Sequence, residues 1–508
     1  MVASLDNLAK QEGRVPIAAE PLGAPGRDAL HERALSGLFW AMLQNWAGKG
    51  LGLLLFLILA RLLTPAQLGV AAAINAVIVV VSLVAELGFS DAIVQRRRLR
   101  SAEVNLPFFS SLAISASMAM AVVLLASRIE QWMNVPGLAP LLSVAAASLP
   151  LGAMTMFQEA MYRRQLLFRQ VAVRMLITSS IAGVIAIGCA YAGMGSWSLV
   201  VQALVMNVLN VIWLWRKPLW KPGAELDVGS YTQIVKFSGS VLAARVSDVI
   251  GTRSIELLIV ALHGPLALGL YAVGARVFQT LMQLLSSGVT SVSLGALSHV
   301  SEDKARLARA YIKTLVASAA IAMPAFPLVA VTSHEWTVLL FGVKWAGSAP
   351  IMTVLMLLGA LQCVQFTTGA TLSALNRPDY VAWAAAMKAA TAVLAIWLIP
   401  THGMVQLTIV YALSQLVATP ITYVWLSRSL EVRLATMVSQ ILPFYCAAGA
   451  GFAAAYVAHL WTRATHMTLL PTLLLVSLVY GLVYWLIVLL LGMNQLRQVW
   501  QIFRKDPA

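Results

Sequence analysis

Residues 57–77 read LILARLLTPAQLGVAAAINAV, and residues 257–277 read LLIVALHGPLALGLYAVGARV. Each stretch contains an apolar segment, a Pro-x-x-Leu-Gly turn and the beginning of a second apolar segment. At an offset of 200 residues and without a gap, these pairs coincide: Leu57/Leu257, Leu62/Leu262, Pro65/Pro265, Leu68/Leu268, Gly69/Gly269, Ala72/Ala272 and Val77/Val277. Because an even number of apolar segments separates the two copies, the repeat predicts two parallel six-helix lobes related by an axis along a membrane normal.

The composition of the whole chain favours a membrane protein. Of its 508 residues, 60% are hydrophobic and only 11% are charged, and the mean hydropathy is +0.82. Long apolar runs follow one another with little charge inside them, which predicts an all-α polytopic membrane protein with about fourteen transmembrane helices. The expected spans are 36–60, 69–88, 106–127, 139–158, 171–192, 196–215, 236–262, 268–298, 314–332, 350–370, 381–400, 404–426, 441–460 and 468–492.

The spans group into four segments. We expect a cytoplasmic N-terminal tail over residues 1–35 and an N-lobe of helices 1–6 over 36–225. A C-lobe of helices 7–12 follows over 226–430, and residues 431–508 hold helices 13 and 14 and a cytoplasmic C-terminal tail. The two lobes are expected to surround a central cavity.

The distribution of basic residues predicts the orientation in the membrane. The formal net charge is +15, and the basic residues concentrate in alternate short loops, such as 96–100, 163–169 and 216–221. Since Lys and Arg favour cytoplasmic loops, both termini are predicted to be cytoplasmic, with Lys344 and Arg463 on the other side. Aromatic residues are not interleaved with a basic patch, so nucleic acid is not an expected partner.

Motifs of the common hydrolases and ATPases do not occur in the sequence. There is no GxxxxGK[ST], no GxSxG and no HExxH. Cys189, Cys363 and Cys446 lie far apart in apolar segments, without the CxxC spacing of a zinc site. We therefore expect no enzymatic activity, no cofactor and no bound metal.

Charged residues inside the spans are the main functional signal, because a charge at bilayer depth is costly and usually faces a cavity or a partner. Helix 7 carries Arg245, Asp248, Arg253 and Glu256. At 100° per residue these four side chains fall within an arc of about 140°, so they share one face of the helix.

Further polar residues lie on helices 1 and 8. Asn45 is the repeat counterpart of Arg245, and Lys49 lies one turn beyond it, while Arg276 lies on helix 8. These positions predict a polar face on each lobe, with Lys49, Asn45 and the arginines binding an anionic group such as a diphosphate.

Two alternatives remain open for this set. Arg245–Asp248 and Arg253–Glu256 have i,i+3 spacing and could simply neutralise each other, although Lys49 and Arg276 would still add positive charge. The carboxylates of Asp248 and Glu256 either hold the arginines in place or titrate, which would couple transport to a proton or sodium gradient.

Two other intramembrane cations have a simpler interpretation. Arg174 and Lys388 lie near the expected cytoplasmic ends of helices 5 and 11. We expect both side chains to snorkel towards the membrane surface.

Four segments, in this order, resemble the Wzx-like oligosaccharide flippases and polysaccharide transporters of the multidrug/oligosaccharidyl-lipid/polysaccharide exporter superfamily. They are FLILARLLTPAQLGVAAA (56–73), ELGFSDAIVQRRRL (86–99), GPLALGLYAVGARV (264–277) and FGVKWAGSAPIMTVLML (341–357). The likeness covers roughly residues 35–500. The family has no universal catalytic motif, so the site residues above come from the sequence itself.

The resemblance implies alternating access by a protein of the bacterial cytoplasmic (inner) membrane. The implied substrate is an oligosaccharide repeat unit linked to undecaprenyl diphosphate, exported for exopolysaccharide, capsule or lipopolysaccharide biosynthesis. The resemblance is also compatible with a complex between this protein and the polymerase or export machinery. Two alternatives are a cation-coupled multidrug exporter of the same superfamily and a membrane polysaccharide polymerase or ligase. A net anionic cavity is expected for the exporter. A large outer loop is expected for the polymerase or ligase.

Overall fold

Helices make up all the regular structure in the described part of the chain. The computed structural model describes residues 46–86, 88–96, 99–165, 167–298, 304–375, 377–399, 403–493 and 495–496. The chain divides into two compact units, residues 1–265 and residues 266–508. The predicted lobe boundaries given above stay a prediction.

The first unit begins with a helix, α1, over residues 46–62 of the described chain. The helices that follow are α2 (Pro65–Glu86), α3 (Phe89–Gln95), α4 (Ser101–Met133), α5 (Leu138–Ala145), α6 (Ser148–Arg164), α7 (Phe168–Tyr191), α8 (Trp197–Arg216) and the first part of α9 (Val228–Ser298).

The second unit begins in α9, which is broken at Gly264. Its helices are α10 (Lys304–Ala322), α11 (Phe326–Val331), α12 (Ser333–Phe341), α13 (Ala349–Gln362), α14 (Thr368–Ala374), α15 (Pro378–Leu398), α16 (Met404–Leu416), α17 (Ala418–Leu430), α18 (Leu434–Ala464) and α19 (Leu469–Leu491). Two short 3-10 segments, Val343–Ser348 and Cys363–Gln365, flank α13.

The membrane-spanning segments agree with the sequence prediction. Among the described residues, 12 helical segments are long and apolar enough to cross a membrane. The predicted spans 236–262 and 268–298 both overlap one of them, Gly251–Ser287, because α9 continues through its break. The first predicted span, 36–60, begins before the described residues. The other predicted spans each correspond to a segment of their own.

The two copies of the repeat both contain a helix break at the shared proline. Pro65 begins α2, and Pro265 follows Gly264, whose φ of 78° and ψ of 177° interrupt α9. In the first copy, the Thr64 amide donates to Gln67 Oε1 at 3.0 Å and the Gln67 amide donates to Thr64 Oγ1 at 3.3 Å, which is a capping box. In the second copy glycine occupies the position of Thr64, because that backbone conformation strongly disfavours a side chain.

Small residues allow α1 to approach α7 closely. A Cβ atom built on Gly48 would lie 2.0 Å from the Met175 side chain, and one built on Gly183 would lie 2.4 Å from the Leu55 side chain. Close contact at small residues is the usual way in which helices associate in membranes.

Buried amides fix the segment that connects α8 to α9. Gln158 Nε2 donates to the Trp220 carbonyl at 2.6 Å, and Asn105 Nδ2 donates to the Glu225 carbonyl at 2.8 Å. The segment ends at Asp227, whose carboxylate accepts hydrogen bonds from the amide and the hydroxyl of Ser230 at 2.9 and 2.8 Å. These bonds lower the pKa of Asp227, since they favour its charged form.

Tyrosine hydroxyls attach the last two helices to the core of the second unit. Tyr480 on α19 donates to the Met323 carbonyl at 2.8 Å, and Tyr445 on α18 donates to the Ala360 carbonyl at 3.1 Å. Both acceptors lie at or near helix ends, where carbonyl groups lack helical partners. The helices α18 and α19 therefore pack as part of this core.

Candidate charged sites in the spanning helices

The pair Arg253–Glu256 is the part of the predicted site that the structure describes most fully. Arg253 Nη1 lies 2.8 Å from both carboxylate oxygens of Glu256. The two side chains are 28% and 14% exposed. The i,i+3 spacing therefore produces an ion pair within one turn of α9, as one of the two sequence interpretations predicted.

Arg253 keeps donors beyond this pair. A guanidinium has five N–H groups, and among the described residues Arg253 donates through Nη1 alone. Its remaining N–H groups can therefore bind a further acceptor while the ion pair stays intact.

The other predicted site residues are described to different extents. Lys49 on α1 is half-buried and lies in the first unit with Arg253, and Arg276 is half-buried in the second unit. Asn45 lies outside the described residues, as do the side chains of Arg245 and Asp248. The grouping of these residues around one cavity remains a prediction.

The prediction that Arg174 snorkels to the surface is wrong. Arg174 is only 5% exposed, and its Nη2 lies 2.8 Å from Glu159 Oε2. Its Nη1 also donates to Asn210 Oδ1 at 3.2 Å. Arg174 therefore points into the unit, where it links α7 to α6 and α8.

Glu159 is the residue that the sequence analysis missed. Its second oxygen binds Arg163 Nη2 at 2.6 Å, so one carboxylate holds two guanidinium groups. The predicted span ended at residue 158, which placed Glu159 in a loop, whereas α6 continues to Arg164. The i,i+4 spacing of Glu159 and Arg163 was the available signal for this site.

Lys388 also has an internal partner and does not need to snorkel. Its ammonium donates to Gln365 Oε1 at 2.8 Å, and Gln365 Nε2 donates to Thr419 Oγ1 at 2.7 Å. The chain of hydrogen bonds joins α15, the second 3-10 segment and α17. The second unit thus contains a cation held by a neutral amide.

Comparison with solved structures shows the fold of this chain. The chain is similar to "Lipid II flippase MurJ, inward closed conformation", with a TM-score of 0.70 and 12% identity over 88% of this chain and 98% of that one. It is also similar to an inward-facing multidrug resistance MATE family transporter of the MOP superfamily, with a TM-score of 0.56 and 15% identity over 78% of this chain and 98% of that one. At such identities the likeness concerns the fold, which is that of a multi-pass α-helical membrane protein.

Sequence comparison gives the family. Residues 58–350 match the model of the polysaccharide biosynthesis protein family, and the chain belongs to this family. The chain is 24% identical over 360 residues to the lipopolysaccharide biosynthesis protein WzxC of Escherichia coli K12, covering 69% of this chain and 72% of WzxC. It is 25% identical over 319 residues to the succinoglycan biosynthesis transport protein ExoT of Rhizobium meliloti, covering 63% of this chain and 64% of ExoT.

Proposed function

We propose that this protein is a flippase for lipid-linked oligosaccharides. It moves repeat units carried on undecaprenyl diphosphate from the cytoplasmic to the periplasmic leaflet by alternating access, for exopolysaccharide, capsule or lipopolysaccharide biosynthesis. The observation that carries the proposal is the family match over residues 58–350. The names of WzxC and ExoT and the MurJ-like fold support it.

In this proposal the intramembrane cations bind the diphosphate. Lys49, Arg245, Arg253 and Arg276 supply N–H donors, and Asn45 supplies an amide. A diphosphate that leaves water needs such donors, because an unpaired charge is costly in an apolar environment. Arginine suits the task because its planar fork can bind two phosphate oxygens.

Asp248 and Glu256 have a supporting or a coupling role. The 2.8 Å contacts of Glu256 with Arg253 support the first role, since they fix the guanidinium in one orientation. Protonation of the carboxylate would release Arg253 towards the substrate and would couple transport to a proton gradient. If a sodium ion bound to the carboxylate in place of the proton, transport would be coupled to a sodium gradient instead.

The proposed orientation places both termini in the cytoplasm of a bacterial inner-membrane protein. In a cysteine-free background, cysteines introduced at Lys344 and Arg463 should react with an impermeant thiol reagent added from the periplasm. Cysteines introduced at Lys217 and Arg306 should react only after the cells are opened. The reverse pattern would overturn the proposed topology.

Reconstitution into liposomes tests the function against its alternatives. With labelled undecaprenyl diphosphate-linked oligosaccharide, a flippase exposes the glycan to the opposite leaflet without changing its length. A polymerase or ligase would lengthen or transfer the glycan, and a multidrug exporter would move cationic dyes instead. Either of these results, without glycan exposure, would refute the proposal.

A further inference from the structure

Lys388 lies in the middle of a spanning helix. The helix α15 covers Pro378–Leu398, so ten residues separate Lys388 from either end. At 1.5 Å per residue this distance is about 15 Å, which is half of a hydrocarbon core of about 30 Å. A charge at this depth is costly and normally has a partner or faces a cavity.

Carboxylates that could balance this charge are scarce in the second unit. Its described residues include three acidic ones, which are Glu335, Asp379 and Glu431. The first lies 3.5 Å from His459, and the last binds Lys304 at 3.2 Å. Asp379 lies in the first turn of α15, about 14 Å along the helix from Lys388. The positive charge of Lys388 therefore has no carboxylate partner among the described residues of this unit.

The hydrogen bonds of Lys388 run outwards from its ammonium group. Nζ donates to Gln365 Oε1 at 2.8 Å, and Gln365 Nε2 donates to Thr419 Oγ1 at 2.7 Å. An ammonium group has three N–H donors, and the bond to Gln365 uses one of them. Two donors of Lys388 thus remain for another acceptor.

Gln415 supplies a further donor on the adjacent helix. Within the described part of the chain, its Nε2 is buried and has no hydrogen-bond partner. Gln415 and Thr419 are four residues apart and share one helical face, because the residue between α16 and α17 has helical angles (φ −58°, ψ −41°). Thr391, one turn after Lys388, donates to the Ser414 carbonyl at 3.2 Å, which holds this part of α16 against α15.

A group that satisfies both side chains must be an acceptor. Loss of a proton from Lys388 would remove its charge but would leave the buried amide of Gln415 unpaired, which costs free energy. An anionic oxygen group solves both problems, since it carries the opposite charge and accepts several hydrogen bonds.

We propose that Lys388 and Gln415 form a binding site for an anionic oxygen group, which is either the carboxylate of an acidic sugar or a free phosphate ion. The proposal concerns binding alone and does not depend on the proposed transport activity. Within that activity, the site would favour repeat units that contain acidic sugars.

Thermal denaturation of the purified full-length protein in detergent tests the proposal. Sodium glucuronate and sodium phosphate are each compared with glucose plus sodium chloride at the same ionic strength. At least one of the two anions should raise the wild-type midpoint by a few degrees, because a ligand that binds the folded state stabilises it. A larger shift with glucuronate identifies the sugar carboxylate as the ligand, and a larger shift with phosphate identifies the free ion.

Two lysine variants show where the anion binds. Lys388→Met keeps a long side chain without charge, and it should lose the shift. Lys313 on α10 is exposed and lies in the same unit, so Lys313→Met is the matched control and should keep the shift. No shift in the wild type, or a full shift in Lys388→Met, would overturn the proposal.

Hydrogen exchange on the wild-type protein gives a measurement that does not depend on any variant folding. In the anion that raises the midpoint, α15 and α16 should exchange more slowly relative to α6 than they do in the reference solution. An exchange ratio that the anion does not change would also overturn the proposal.

Discussion

Arg253–Glu256 and Arg174–Glu159 are both arginine–carboxylate pairs within the first unit, yet they are built differently. The first pair lies within one turn of α9, and its arginine is 28% exposed. The second joins α7 to α6, its arginine side chain is 6% exposed, and it extends to Asn210 on α8. A pair within one turn constrains only its own helix and leaves donors for a ligand, whereas a pair across helices uses its donors to hold the unit together.

The largest expected effect comes from breaking the pair between helices. Glu159→Ala leaves the buried guanidinium of Arg174 without its carboxylate, and removing one partner of a buried pair costs about 3–5 kcal/mol. Arg163→Ala is the matched control, because Arg163 binds the same carboxylate but is 52% exposed, so that its loss should cost at most about 1 kcal/mol.

The yield of folded protein after detergent extraction, followed by its thermal midpoint, measures this difference. Equal losses in the two variants would show that the arrangement between helices has no special structural role.

A smaller effect on stability, but a loss of transport, is expected for the pair on α9. Arg253→Ala leaves the carboxylate of Glu256, which is 14% exposed, without its cation. A carboxyl group can become neutral by binding a proton, whereas the arginine left unpaired by Glu159→Ala cannot lose one. Membrane levels should therefore fall less than with Glu159→Ala, and export is compared at equal membrane level. Polymer export should fall about tenfold or more, since a hydrogen bond to a charged group contributes about 1.5–3 kcal/mol.

A charge swap separates substrate binding from mere neutralisation. The double variant with Arg253→Glu and Glu256→Arg keeps one acid and one base at the same spacing. If the guanidinium at position 253 binds substrate, the swap should not restore export. Full restoration would mean that the pair serves only to neutralise the helix.

The last effect, on stability alone, is expected at the local carboxylate contact outside the membrane. Asp227→Ala removes the hydrogen bonds to Ser230 at the beginning of α9, and loss of such a cap costs about 0.5–2 kcal/mol. Because the folded-state pKa of Asp227 is lowered, its contribution is present above the unfolded pKa and is lost as pH falls through the folded pKa.

The thermal midpoints of wild type and Asp227→Ala, measured over acidic pH, check this sign. Their difference should shrink as the medium becomes more acidic. A difference that grows towards low pH would contradict the proposed cap.

The contrast between local and distant contacts also explains what the sequence could predict. Apolar runs predicted the spanning segments, and the repeat predicted breaks at Pro65 and Pro265, because both signals lie in consecutive residues. The spacing of Arg253 and Glu256 likewise indicated their pairing. Partners of Arg174 and Lys388 could not be found in this way, because tertiary packing supplies them.

Glu159 shows the same limit at a helix end. Hydropathy falls at Gln158 and Glu159, so the span was predicted to stop there. The helix α6 nevertheless continues, since Gln158 and Glu159 find polar partners on neighbouring segments. The boundary of a span in the membrane therefore depends on contacts that hydropathy does not record.

The most direct test compares initial rates of glycan exposure in liposomes that contain equal amounts of folded wild-type protein or Arg253→Ala. Labelled undecaprenyl diphosphate-linked oligosaccharide is the substrate, and an impermeant glycan-modifying reagent reads its exposure. The account predicts rapid exposure with the wild type. With Arg253→Ala it predicts a rate that is reduced about tenfold or more. A wild-type rate equal to that of protein-free liposomes, or equal rates for the two proteins, would contradict it.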